Sequence, residues 1–135
     1  MDEKNNIALD TSMLLRLLVG EPEAQFIRAK KYVEHQVKKN KKLLVSDLVI
    51  SEVYFALQYH YKVPKKEAIR QLNSIFDSRI IKPTPGSVCK EVLKDSKNHK
   101  AGLVDQLIYR QYTLFSHEIV SFDKAMGKWG RVKIL

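Results

Sequence analysis

Ile7-Ala8-Leu9-Asp10-Thr11-Ser12-Met13-Leu14-Leu15 is the stretch whose reading decides the architecture. Three consecutive apolar residues without alternation suit a short strand buried on both faces. Asp10, Thr11 and Ser12 interrupt the run with side chains that cap helices. Met13-Leu14-Leu15 and Leu17-Leu18-Val19 then restart an apolar pattern, which Gly20 and Pro22 stop. A strand, an acid and a short helix in this order make the repeating unit of an α/β protein.

The unit recurs along the chain. Residues 23 to 39 set Phe26, Ile27, Ala29, Val33 and Val37 among charges, which predicts an amphipathic helix. Leu43-Leu44-Val45 is a second strand, and Ser46 or Asp47 caps a helix reaching about Tyr61. That helix is apolar on nearly every side and is expected to be central. Pro64 opens another, with Ala68, Ile69, Leu72, Ile75 and Phe76 on one stripe. Arg79 to Lys82 form a third strand closed by Pro83 and Pro85. Residues 86 to 95 and 102 to 115 are helical, residues 118 to 122 a strand, 123 to 126 a short helix, and 131 to 135 an edge strand. The alternation predicts one α/β domain over residues 1–135, with a central, mostly parallel sheet of four to five strands and helices on both faces.

Composition narrows the class. A chain of 135 residues with 44% hydrophobic content can build a real core. Gly and Pro, at 5 and 4, are too scarce for a long flexible linker. The single Cys89 excludes an internal disulfide and a multi-cysteine zinc site, and suits a reducing, cytoplasmic setting. Met1 to Asn6 are polar and run straight into Ile7, unlike a signal peptide, and no apolar run nears the roughly 20 residues that span a bilayer. Cytoplasmic and not membrane-bound is the expectation.

The net charge is +9, from 24 Lys+Arg against 15 Asp+Glu. The bases fall in small groups, such as Lys38-Lys39-Lys41-Lys42, Lys97 with Lys100, and Lys124 to Lys133. Any one group reads as a solvated helix end or turn. The total excess favours a polyanionic partner, and nucleic acid over lipid because no basic amphipathic helix stands apart.

Against this background four acids stand out: Asp10, Glu52, Asp105 and Asp123 lie in apolar sequence without a basic neighbour at helical pairing distance. Asp10 and Asp123 end strands just before helices, where the carboxyl ends of parallel strands form the natural crevice. Each could equally be an N-cap. Glu52 has Leu48, Val49, Phe55 and Ala56 as its helical neighbours, so it is either tied by a distant arginine or functional. Asp105, among Ala101, Gly102, Ile108 and Tyr109, could serve the helix dipole of its first turn. Most other acids have Lys or Arg close by; Asp47 is the exception, and Ser46-Asp47 reads as helix-start chemistry. If the fold gathers the four into one cleft they repel, and a divalent cation is required.

At these residues the chain resembles the PIN-domain ribonucleases, and within them the VapC-type toxins of toxin–antitoxin pairs. Ile7 to Ser12 with Leu14-Leu15-Arg16 is similar to the first family motif, and Gly20-Glu21-Pro22 follows it. Ser46 with Ser51-Glu52-Val53 resembles the second, Gly102-Leu103-Val104-Asp105 the third, and Val120-Ser121-Phe122-Asp123 the fourth. Ser12 replaces the more usual Asn and Ser121 the more usual Thr, each keeping a small polar group. The resemblance implies a PIN-like three-layer α/β/α sandwich and a Mg²⁺- or Mn²⁺-dependent endoribonuclease. Asp10, Glu52, Asp105 and Asp123 would be its catalytic and metal-binding acids, hydrogen-bonded from behind by Ser12 and Ser121. It further implies an RNA substrate, a small antitoxin partner and a homodimer, for which the apolar helices at 11 to 19 and 47 to 61 leave room.

Two other readings keep the fold: a free-standing RNA-processing nuclease, and a non-catalytic nucleic-acid-binding module. His35, His60, His99 and His117 show no metal-ligand spacing, and the tyrosines at 54, 59, 61, 109 and 112 suit packing. Trp129, beside Lys128 and Arg131, suits partial burial or contact with RNA.

Overall fold

The computed structural model describes residues 3–96 and 102–135. Lys97, His99, Lys100 and Ala101, named above, lie outside the described residues. Strand β1 (Asn6–Ala8) leads into α1 (Thr11–Val19) and α2 (Glu23–Lys38), and β2 (Lys42–Val45) into α3 (Asp47–Phe55), which continues as a π-helical turn over Ala56–His60. Then come α4 (Lys65–Asp77), β3 (Ile81–Pro83), α5 (Cys89–Asp95) and α6 (Leu103–Thr113). Strand β4 (Ile119–Ser121), a 3₁₀ turn over Lys124–Lys128 and β5 (Val132–Ile134) complete the chain.

Every strand pairing is parallel, as crossovers through helices demand. Ile7 pairs with Leu43, and Leu43 with Ile81, so β2 lies at the centre of a three-stranded ladder. The expected single sheet of four to five strands is instead divided. β4 and β5 form their own two-stranded ladder, with Val120 opposite Lys133. Strands of three residues offer too few ladder bonds to show in sequence which neighbour each will choose. Helices and parallel strands nonetheless alternate as in the α/β/α sandwich that the resemblance implies.

The core forms around Leu14, Leu43, Val45, Ile50, Val53, Leu57, Leu72, Leu93 and Leu103, all fully buried. The α4 stripe Ala68, Ile69, Leu72, Ile75 and Phe76 is buried as its spacing predicts. Helix α3 departs from expectation. It buries Ile50, Val53 and Tyr54 but leaves Leu48 72% and Phe55 44% exposed, with Tyr59 at 69% in the π turn beyond. Its composition is apolar all round, yet α1, α4 and α6 pack against it without covering Leu48 or Phe55.

Helix α1 ends as its sequence dictates. Gly20 takes a left-handed φ of 77° and its N–H donates to the Arg16 carbonyl. A Cβ at Gly20 would meet no neighbour, so the penalty of an alanine there is conformational alone. Gly20→Ala is expected to lower stability by about 1 kcal/mol, read as a shift in urea midpoint at unchanged slope.

Candidate active site

Asp10 follows directly on the strand end at the mouth of the sheet, fixed by Leu9 N–H donating to the Leu44 carbonyl. Its backbone is extended and its side chain caps α1: Oδ1 accepts from the Met13 N–H at 3.0 Å and from the Ser12 hydroxyl at 2.8 Å. The Met13 bond, then the Ser12 bond, hold the carboxyl below the usual carboxylate range. Both bonds land on Oδ1, so Oδ2 carries neither. The cap and the functional readings of Asp10 are therefore compatible, because both bonds fall on one oxygen and the residue is exposed.

Glu52 reaches the same place from α3. Its Oε1 accepts from the Thr11 hydroxyl at 3.1 Å, a bond between the first turn of α1 and the middle of α3. No arginine or lysine pairs with Glu52 among the described residues. Asp10, Thr11, Ser12, Arg16, Glu52, His60 and Tyr61 line one cavity of about 570 Å³. A second cavity, of about 680 Å³ between β1, α1 and α2, shares Asp10, Ser12 and Arg16 with it.

Asp105 and Asp123 are placed differently. Asp105 is exposed in the first turn of α6 and has no ion pair among the described residues. Asp123 is exposed, and its Oδ1 accepts from the Ala125 N–H at 2.9 Å, capping the 3₁₀ turn. Neither lines the two cavities around Asp10. The expected nest of four carboxylates is accordingly not formed: among the described residues no three acids, histidines or cysteines stand close enough to hold one ion. The physical reason is local. A carboxylate just ahead of a helix finds its nearest unpaired donors in that helix's own first turn. Ser121 is also corrected: its hydroxyl accepts from the Asp123 backbone N–H at 2.9 Å and steadies the loop, not the carboxylate. The Ser12 hydroxyl donates to the Asp10 carboxylate.

Three residues named in the sequence without a site role take one in the structure. Arg16 and His60 line the Glu52 cavity. His60 lies two i+4 steps beyond Glu52, a spacing that signals a shared face. Asp47 is the third. It is only 6% exposed and accepts from the Val88 N–H (3.0 Å), the Cys89 N–H (2.9 Å) and Gln111 Nε2 (2.7 Å). Ser46 is the α3 cap, accepting from the Val49 N–H at 3.2 Å, which frees Asp47 to tie α3 to the starts of α5 and the body of α6. Its lack of a basic neighbour was the same signal as for Asp10, with a structural meaning.

The donor set fits a hard divalent cation held by one or two carboxylates and otherwise by water, the coordination Mg²⁺ prefers. Asp10 offers an exposed carboxylate anchored through Oδ1, and Glu52 a second carboxylate lining the same cavity. It does not fit an all-protein cage. No described helix is long and apolar enough to cross a membrane.

Comparison with known proteins places this geometry in context. The family model described as PIN domain matches residues 7–132, from β1 to the first residue of β5. No curated protein and no solved structure matches the chain.

Proposed function

The chain belongs to the PIN-domain family, whose members are generally nucleases, and from that premise we propose that it is a Mg²⁺- or Mn²⁺-dependent endoribonuclease centred on Asp10 and Glu52. The observation that carries the reading is the cavity these two acids share on a chain of net charge +9, with Arg16 on its wall. Unpaired carboxylates on an otherwise basic protein repel a phosphate unless a cation stands between. When bound, that cation supplies an activated water and a counter-charge for the phosphate.

The chain's own residues do the rest. Asp10 is held rigidly by its cap, with one oxygen left to bind. Ser12 and Thr11 fix the orientation of the two carboxylates. Glu52 orients the attacking water through its second oxygen, and Arg16 draws the phosphate backbone to the rim. Asp105 and Asp123 enter the proposal on motif position alone, acting through water from the edge of the cleft. We place the protein as the toxin of a toxin–antitoxin pair, with a small antitoxin and a second copy of the chain as partners. The exposed Leu48, Phe55 and Tyr59 give such partners an apolar surface.

Internally labelled RNA tests the activity directly: cleavage is expected with Mg²⁺ or Mn²⁺ and none in EDTA, whereas metal-independent cleavage would refute the reading. The linkage prediction is independent of turnover. At ten times its Kd the metal stabilises by about 1.4 kcal/mol, a rise of a few degrees in Tm. The rise is expected to vanish in Asp10→Asn/Asp105→Asn, and an unchanged wild-type melting curve at saturating metal counts against the site.

A further inference from the structure

Beyond Asp10, Ser12 and Arg16, the larger cavity beside the proposed centre has a lining that the hydrolysis does not use. It runs from Asp10 between β1 and α2, and its charged side chains beyond Asp10 are both arginines, Arg16 and Arg28. Arg16 Nε donates to Gln25 Oε1 at 2.5 Å, which bridges α1 to the start of α2 and fixes the guanidinium at the junction of the two cavities. Arg28 makes no ion pair or hydrogen bond among the described residues. One helical turn on, at i+4, Tyr32 stands 43% exposed on the same wall. Ile7 and Leu9 supply an apolar floor.

We propose that this groove is a track for single-stranded RNA, in which Arg16 and Arg28 hold phosphates flanking the cleaved one and Tyr32 stacks a base. The proposal rests on the nuclease reading for its polarity relative to Asp10, and on the groove alone for binding. Three features favour a nucleic-acid strand. A guanidinium without an acidic partner presents a planar donor fork matched to phosphate. A phenol ring on the wall offers a sequence-tolerant stacking face, worth at least several-fold in affinity per base. The groove is open and continuous with the Asp10–Glu52 cavity through three shared residues, so a strand that enters one reaches the other. Duplex RNA hides its bases and has no use for such a ring.

The test is binding of a fluorescent 12-nucleotide single-stranded RNA to the full chain in EDTA, followed by anisotropy over a salt series. Arg28→Ala is expected to weaken binding about fivefold to tenfold and to lower the salt slope by about 1. Tyr32→Leu keeps apolar volume but removes the ring, and is expected to weaken binding about fivefold with the slope unchanged. Lys66→Ala, an equal charge change on α4 away from the groove, controls for general attraction. Equal losses in Arg28→Ala and Lys66→Ala, or no loss in either groove variant, would overturn the track. Cleavage is scored separately with metal. A wild type that binds through Arg28 but never cleaves sinks the nuclease reading and leaves the groove standing. Cleavage that depends on Asp10 but is indifferent to Arg28 and Tyr32 on long and short RNA does the reverse.

Discussion

On the proposed function, Asp10→Asn is expected to lose RNA cleavage by on the order of a hundredfold or more, since removing a partner of a metal ligand already costs roughly 10–100-fold, and to keep its fold. Steady-state cleavage with metal titration measures the first effect, and thermal melting the second. Sequence alone suggests that the variant would stay as stable or become slightly more so, by relieving repulsion among four carboxylates. The structure removes the ground for a gain. Asp10 is not crowded by acids but bonded to Met13 and Ser12, which favour its charged form. Asparagine caps a helix about as well as aspartate, so little stability is lost and none is gained. A raised melting temperature would show that repulsion dominates at Asp10 after all. Wild-type cleavage at saturating metal would remove Asp10 from the centre.

Asp47→Ala is expected to cost about 3 kcal/mol and to lower Tm by about 10 °C, with no direct part in chemistry. The substitution strips acceptors from the Val88 and Cys89 N–H groups, both on buried residues, and from Gln111. Such donors pay their desolvation whether or not a partner remains. Burial works to raise the Asp47 carboxyl, but the bonds from Val88, Cys89 and Gln111 outweigh it and hold the group below its ordinary value. Its contribution to stability is then fully present above the unfolded pKa near 4 and is lost as pH falls through the lower folded value. Asp47→Asn removes that charge and turns an amide N–H toward existing donors. It should therefore be destabilised at pH 7, with the gap from wild type narrowing near pH 3. Urea midpoints at the two pH values decide the matter; a gap independent of pH would show that the charge of Asp47 is not what the donors stabilise. Burial, and after it the same carboxylate, pushes the Cys89 thiol up, leaving it an inert packing group.

The two acids show where sequence runs out. Asp10 and Asp47 each stand at a strand-to-helix junction with no base nearby. One meets an open cleft and the other the backbone at the start of α5, some forty residues on. Nothing in either neighbourhood distinguishes them, because the difference is made by what the tertiary structure brings up against them. Glu52 was legible as an acid without a local partner. That its neighbour across the cavity is Thr11, and that Arg16 and His60 join it, depends on how α1 packs on α3.

By itself the sequence determined the alternation of strand and helix, the buried α4 stripe, the glycine stop of α1 and the capping acids. These are set by periodicity and by donors within a turn or two along the chain. Tertiary structure alone decided that the strands divide into ladders of three and two, that Leu48 and Phe55 of α3 stay exposed, and that Asp105 and Asp123 do not line the cavities around Asp10. Those outcomes depend on contacts between segments distant in the chain, whose energies no local pattern encodes.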